Sequence, residues 1–396
     1  MISQIHIKNF KSIVDLTLDL GRVNLFIGEN GSGKSNILEA VAFVASTSNN
    51  EINNSILVSK GVRIAQSELF SSAFGSNIEN IELNFTIGNN IIEALFKYDT
   101  TDKHWLDWAS KKISDFFVQY GNYFEYSPLE LIHIKNPPNF VMVNFFSDKI
   151  TIHDNAPDEI KQLITKKIKS FESYYKNYNL LKSYIIYSPE VSSLRKFEEE
   201  GQVSPLGAHG EGLFSLIKSL SKDNGSLQQI KEHLEVIDWF EDFAIPNDLM
   251  SNEYKIAIKD RFINSDLKYL DQRSANEGFL FLLFYIVLFS SKKTPQFFAI
   301  DNIEASFNPK LCAKLITMLV ELAKKNDKQV LMTTHNPATL DGLDLKDPEQ
   351  RLFVVERNID GHTTATRITE KPKVDAPMKL SEMWTKGFLG GLPENF

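Results

Sequence analysis

Three short stretches hold the residue types that could do chemistry together. The first, Gly28-Glu29-Asn30-Gly31-Ser32-Gly33-Lys34-Ser35, meets the pattern G-x-x-x-x-G-K-[ST] in full. Glycines at this spacing admit backbone angles that turn successive N–H groups inward around an anion. A helix starting near Ser35 would aim the positive end of its dipole at the same anion. Lys34 would then neutralise the outer phosphates of a nucleoside triphosphate, and the Ser35 hydroxyl would ligate Mg²⁺. Asn30, Gly31, Ser32, Gly33 and Asn36 complete the predicted cradle.

The second stretch is Phe297-Phe298-Ala299-Ile300-Asp301, an apolar run that ends in a carboxylate, with Glu304 three residues on. At the C-terminal edge of a parallel strand, Asp301 would face the phosphate loop and hold Mg²⁺ through water. Glu304 would orient or deprotonate an attacking water. Taken alone, the pair also fits a helix-capping Asp followed by a surface Glu. The third stretch, Val330-Leu331-Met332-Thr333-Thr334-His335-Asn336-Pro337, repeats the design and offers His335 as a donor to a γ-phosphate. By itself a histidine after a strand is more often a loop residue.

The elements that must position these groups are legible in the apolar spacing. Val23–Ile27 is a nearly continuous apolar run, as for a strand buried on both faces, and a helical pattern of Ile37, Leu38, Val41, Ala42 and Ala45 comes after the glycine-rich turn. Ahead of it, Val14, Leu16, Leu18 and Leu20 alternate as a strand. Residues 81–87 and 91–98 predict a hairpin. Residues 129–134, 140–146 and 149–153 predict further short strands. Residues 155–183 mix lysines with Phe171, Tyr174, Tyr175 and Tyr178, which predicts a charged helical insert; such a face can track a phosphate backbone or simply meet water. A helical region is expected from Gly212 to about Phe243, and a strand over 254–262. Beyond them come an apolar helix from Phe279, a strand at 297–300, a helix at 309–323, a strand at 330–332 and a hairpin at 351–356 and 363–368. That alternation argues for a parallel sheet with crossover helices.

Composition removes other classes. With 51 acidic and 43 basic side chains the net charge is −8, so a cationic coat for nucleic acid is excluded, although a local basic groove is not. A single cysteine, Cys312, excludes an internal disulfide and thiolate clusters. The N-terminus lacks the order of a signal peptide, and the longest apolar run, 279–289, is too short to span a bilayer. The expectation is a soluble, cytoplasmic protein without a membrane partner.

Together, Asn9-Phe10-Lys11-Ser12, the phosphate loop, Ile300-Asp301-Asn302-Ile303-Glu304 and Thr334-His335-Asn336-Pro337 resemble the ABC-type ATPases of the SMC/RecF and OLD group. More narrowly, the chain is similar to the stand-alone AAA-15/AAA-21-like ATPases of bacterial anti-phage operons. The resemblance covers about residues 1–75 and 180–370. It implies an α/β P-loop NTPase fold, an ABC-ATPase head with a parallel core sheet, an antiparallel β subdomain and a helical insert. It also implies ATP and Mg²⁺ as ligands and a head that dimerises around two ATP molecules. Ser274, in Arg273-Ser274-Ala275-Asn276-Glu277-Gly278, matches the signature serine that touches the γ-phosphate held by the other subunit. Ala275 and Asn276 replace the family glycines, and Asn276 is expected to stand in for one through a left-handed backbone. An ordinary helix N-cap at Ser274 or Asn276 reads the segment equally well. Lys11 matches a basic residue that approaches the nucleotide. Asn308-Pro309 falls at the dimer-contacting D-loop, and Gln66 is a candidate for the glutamine loop. The family's catalytic glutamate position is Asn302 here, so Glu304 is expected to take over as base.

The predicted segments are an N-terminal ATPase lobe (1–98), a β/helical insert (99–183), a C-terminal lobe (184–370) and a tail (371–396). The tail could dock a partner or pack on the core. The segment after His335 is too short for the Toprim nuclease of OLD proteins, and no N-K-x-D motif argues for guanine. The resemblance therefore implies an ATP-hydrolysing switch, dimeric or larger, acting on a separately encoded effector such as a nuclease. The alternatives are a RecF-like ATPase that clamps DNA and an ATP-locked scaffold with vestigial hydrolysis.

Overall fold

The computed structural model describes residues 1–48, 51–52, 54–63, 66–72, 74, 80–88, 90–99, 104–107, 125–126, 142–144, 149–151, 177, 179–196, 205–222, 224–246, 255–263, 269–374 and 377–392. The strands expected at 129–134 and most of the charged insert lie outside these residues.

In chain order the strands are β1 (Ile2–Phe10), β2 (Ile13–Asp19), β3 (Val23–Ile27), β4 (Thr47–Ser48), β5 (Glu51–Ile52), β6 (Ile81–Ile87), β7 (Asn90–Asp99), β8 (His104–Asp107), β9 (Glu125–Tyr126), β10 (Met142–Asn144), β11 (Lys149–Thr151), β12 (Ile186–Tyr187), β13 (Phe240–Ala244), β14 (Ala257–Asp260), β15 (Leu270–Asp271), β16 (Phe297–Ile300), β17 (Gln329–Thr333), β18 (Gln350–Arg357) and β19 (Thr363–Ile368). The central sheet has the order β12-β16-β17-β3-β18-β19, parallel except for the final β18–β19 hairpin. Thus β3, early in the chain, sits between strands formed three hundred residues later. A second sheet, β2-β1-β6-β7-β8-β5-β4, is antiparallel throughout.

The strands of the central sheet read as unbroken apolar runs because both faces are covered. Val23, Leu25, Ile27, Phe298, Ile300, Val330 and Met332 face one core, and Phe26, Phe297, Ala299 and Leu331 face the other. On the first face lie the helices Leu213–Leu220, Asn224–Leu234, Glu277–Ser290 and Pro309–Lys325. On the second lie the helix Lys34–Ala45 and the inner face of the antiparallel sheet, whose alternation leaves Leu16, Leu18 and Leu20 inside and Asp15, Thr17 and Asp19 outside. Every residue from Phe279 to Phe289 is buried, which explains the longest apolar run as core packing. No helix among the described residues is long and apolar enough to cross a membrane.

Two expectations need correction. The helical region does not reach Phe243: it breaks at Leu234, and Phe240–Ala244 pairs with β14 as a strand. Nor does Asn276 adopt a left-handed backbone. Its φ is −68°, and its side chain accepts from Phe279 N at 2.8 Å as an ordinary N-cap.

The tail packs on the core. Leu380, Met383 and Trp384 of the helix Leu380–Thr385 are buried, as is Leu389, while Phe388 and Leu392 stay exposed.

Candidate nucleotide site

The site forms where three neighbouring strands of the central sheet end. Because β16, β17 and β3 run parallel and in register (Ile300 beside Met332, Met332 beside Leu25), their following residues emerge on one edge. From β3 comes the phosphate loop, from β16 Asp301 to Glu304, and from β17 Thr333 to His335.

The loop is shaped by glycines that no other residue could replace without movement. At Gly28 (φ 147°) a Cβ would stand 2.1 Å from Val355 O, and at Gly33 (φ 109°) 2.1 Å from Thr363 Oγ1. Gly33 is the N-cap of the helix Lys34–Ala45, so the free amides of its first turn face the loop. Asn30 and Gly31 are exposed, and Ser32 and Gly33 are buried. Lys34 Nζ donates to Gly28 O and Glu29 O, both at 2.8 Å. Burial lowers its pKa to about 8, against the opposing charges of Asp301, Glu304 and Glu29.

Ser35 Oγ donates to Asp301 Oδ2 at 3.3 Å, and Thr333 Oγ1 donates to Asp301 Oδ1. Thr333 Oγ1 in turn accepts from Asn302 N at 2.9 Å, which fixes the turn after β16. Asn302 lies in the left-handed region (φ 56°), a conformation Asn tolerates better than most residues, and its side chain is exposed. Glu304 instead reaches across to the third strand end, where its Oε1 accepts from His335 N at 2.7 Å. Its Oε2 is buried and has no hydrogen-bond partner among the described residues. Burial, and then the charge of Lys34, lowers the pKa of His335 and keeps the ring neutral at pH 7.

The remaining predicted residues divide. Asn36 Nδ2 donates to Ser12 Oγ at 2.6 Å, ties the helix to the β1–β2 turn and borders the loop. Lys11, also in that turn, is engaged with Glu39, a 2% exposed acid one helical turn further along, and lies 5.1 Å from the Phe70 ring. Ser274 is exposed and donates to Asp271 Oδ1 at 3.1 Å, in a turn before the helix Glu277–Ser290; it lies outside this chain's own cradle. Gln66 is an exposed residue before the single turn Ser67–Phe70. Asn308 caps the helix Pro309–Lys325 by accepting from Leu311 N at 2.9 Å.

Several residues had no motif to announce them. Arg63 Nε donates to Glu39 Oε1 at 2.7 Å, and its charge also feels Asp301. Thr363 Oγ1, on β19, donates to Ser32 O at 2.9 Å and accepts from Ser12 Oγ at 2.6 Å. Arg357 Nε donates to Gly31 O at 2.8 Å. Gly391 sits over the loop from the tail: its amide donates to Glu356 Oε1, and a Cβ there would lie 3.1 Å from Gly28 Cα.

The donor set fits a nucleoside triphosphate with a divalent cation. Ser32 Oγ is a buried hydroxyl without a partner among the described residues, beside an ammonium and helix amides that suit phosphate oxygens. Ser35 and Asp301 would hold Mg²⁺, a hard cation that takes oxygen ligands and keeps several waters. No group of three His, Cys, Asp or Glu among the described residues could hold a metal alone, so phosphate oxygens would complete its shell.

Fold and site define a P-loop ATPase head of the ABC type. Residues 23–341 match the family described as "AAA domain, putative AbiEii toxin, Type IV TA system", and the chain belongs to that family. A 47-residue segment is 49% identical to the DNA replication and repair protein RecF of Lactococcus lactis subsp. cremoris, covering 12% of this chain and 13% of RecF. A match of the same length is 51% identical to the uncharacterized protein MJECL10 of Methanocaldococcus jannaschii, covering 12% of this chain and 22% of that protein. The chain therefore aligns with less than a quarter of either relative. Among solved structures, an SMC head bound to the C-winged helix domain of ScpA aligns over 93% of this chain and 98% of its own, with a TM-score of 0.55 at 14% identity. That likeness establishes the SMC-head fold.

Proposed function

We propose that this protein binds and hydrolyses ATP with Mg²⁺ and that its nucleotide state switches a separate effector in defence against phage. The observation that carries the reading is Glu304, whose carboxylate is held at the His335 amide beside Lys34 and Asp301. Lys34 and the loop amides bind and orient the phosphates, the neutral His335 ring donates to the γ-phosphate, and Glu304 takes the proton of the attacking water. Mg²⁺, when bound at Ser35 and Asp301, supplies charge neutralisation on the β- and γ-phosphates. Lys11 and Asn36 border the same cradle, and Ser274 meets the γ-phosphate of a second copy when two heads close on ATP. The AbiEii-type family supports the defence role, and the ScpA-bound SMC head supports control through a protein partner. A RecF-like DNA clamp is the second reading, favoured by the 49% identical segment; a steep salt dependence of DNA affinity would mark it.

Steady-state ATPase activity measured together with oligomer mass tests the proposal. Wild type should turn over, Lys34→Ala should neither bind nor turn over, and Glu304→Gln should bind ATP and stay assembled without hydrolysis. Wild-type turnover in Glu304→Gln refutes the base assignment. ATP-dependent assembly without any turnover in the wild type identifies a nucleotide-locked scaffold.

A further inference from the structure

Among the buried polar atoms without partners in the described residues are Glu304 Oε2, just after β16, and the Tyr285 hydroxyl. Tyr285 projects from the helix Glu277–Ser290 and is fully buried. Its ring centroid lies 6.2 Å from that of Phe307, whose amide donates to Glu304 O at 3.1 Å, so the Asp301–Phe307 loop folds directly over this tyrosine. Burial, and then the charge of Glu304, raises the tyrosine pKa, so the hydroxyl stays protonated and is a donor at any working pH. Among the other groups that feel Glu304, Lys34 Nζ is engaged with Gly28 O and Glu29 O, and the Cys312 thiol with Phe307 O and with Asn336 Nδ2, the latter at 3.6 Å.

A buried carboxylate oxygen without a donor and a buried hydroxyl without an acceptor are each costly, and one bridging water relieves both. We infer that Tyr285 is a positioning residue: its hydroxyl donates through one buried water to Glu304 Oε2. The His335 amide occupies one lone pair of Oε1, so this second tether fixes the carboxylate plane and leaves the remaining lone pair of Oε1 aimed at the water. The inference rests on Glu304 as the base and extends that reading to a residue of the helix that comes after the signature-like segment. It also gives that helix a direct route to the chemistry, because a shift of the helix would move the base.

The test is Tyr285→Phe, which removes one oxygen and keeps the ring, in wild-type and Glu304→Gln backgrounds. The expected result is a kcat about tenfold lower or more, as for loss of a hydrogen bond to a charged group, with KM for ATP within about twofold. In the Glu304→Gln background, read as the residual single-turnover rate at high enzyme concentration, the tyrosine substitution should cost nothing further, since it acts through Glu304. Wild-type kcat in Tyr285→Phe, with Tm unchanged or raised as for removal of an orphaned hydroxyl, overturns the inference while leaving the base assignment intact. An equal fractional loss of that single-turnover rate in both backgrounds also overturns it. Wild-type turnover in Glu304→Gln instead overturns the base assignment, and the inference with it. Should Tyr285→Phe fail to fold, a high-resolution crystal structure of the wild type decides: a water bound by the hydroxyl lies within about 3.2 Å of Oε2, or a dry gap refutes the bridge.

Discussion

Thr363→Val tests whether a strand at the far edge of the sheet holds the phosphate loop. Thr363 is 1% exposed, and its Oγ1 is the middle of a relay in which Asn36 Nδ2 donates to Ser12 Oγ, Ser12 to Thr363, and Thr363 to Ser32 O. Valine has the same shape but no donor, so the buried Ser32 carbonyl loses its partner at a cost of about 1–3 kcal/mol. The replacing methyl also has no room to spare, because Thr363 already fills the space beside Gly33. We expect a loss of about 2 kcal/mol in chemical denaturation. Because the loop must be ordered to bind, affinity for a fluorescent ATP analogue should fall by roughly tenfold. Thr363→Ser keeps the oxygen and should stay close to wild type in both assays. Wild-type stability and affinity in Thr363→Val, or an equal loss in Thr363→Ser, would refute the argument.

The geometry sets three further outcomes. Gly33→Ala combines a left-handed φ of 109° with a Cβ 2.1 Å from Thr363 Oγ1, so nucleotide binding should drop by roughly a hundredfold in titration calorimetry while the far-UV spectrum stays native. Lys34 titrates near 8 in the free protein because of burial, and phosphate should raise that value. The complex then holds more proton: about half a proton is taken up on binding at pH 8 and almost none at pH 6.5, and affinity falls as pH rises through 8. Calorimetry in buffers of different ionisation enthalpy measures this, and equal uptake at both pH values would contradict it. Glu39→Ala leaves the mostly buried Lys11 without its counter-charge and should cost about 3 kcal/mol in denaturation, with much of it regained in Lys11→Met/Glu39→Leu.

The residues by themselves determined the chemistry of the site and the strands that end in it. A phosphate loop needs glycine, lysine and hydroxyl at fixed spacing, so Gly28 to Ser35 announce it locally. Apolar runs such as Phe297–Ile300 and Val330–Met332 announce strands covered on both faces. Local signals failed where partners are distant. Phe240–Ala244 becomes a strand only because β14 lies beside it. Only the tertiary structure decided that β3 inserts between β17 and β18, which brings the three polar strand ends together. It alone placed Thr363, Arg357 and Gly391 on the loop and Arg63 beside Lys11 on Glu39. The physical reason is that these contacts join groups up to 363 positions apart, and no periodicity or motif encodes a hydrogen bond whose partner is chosen by sheet order.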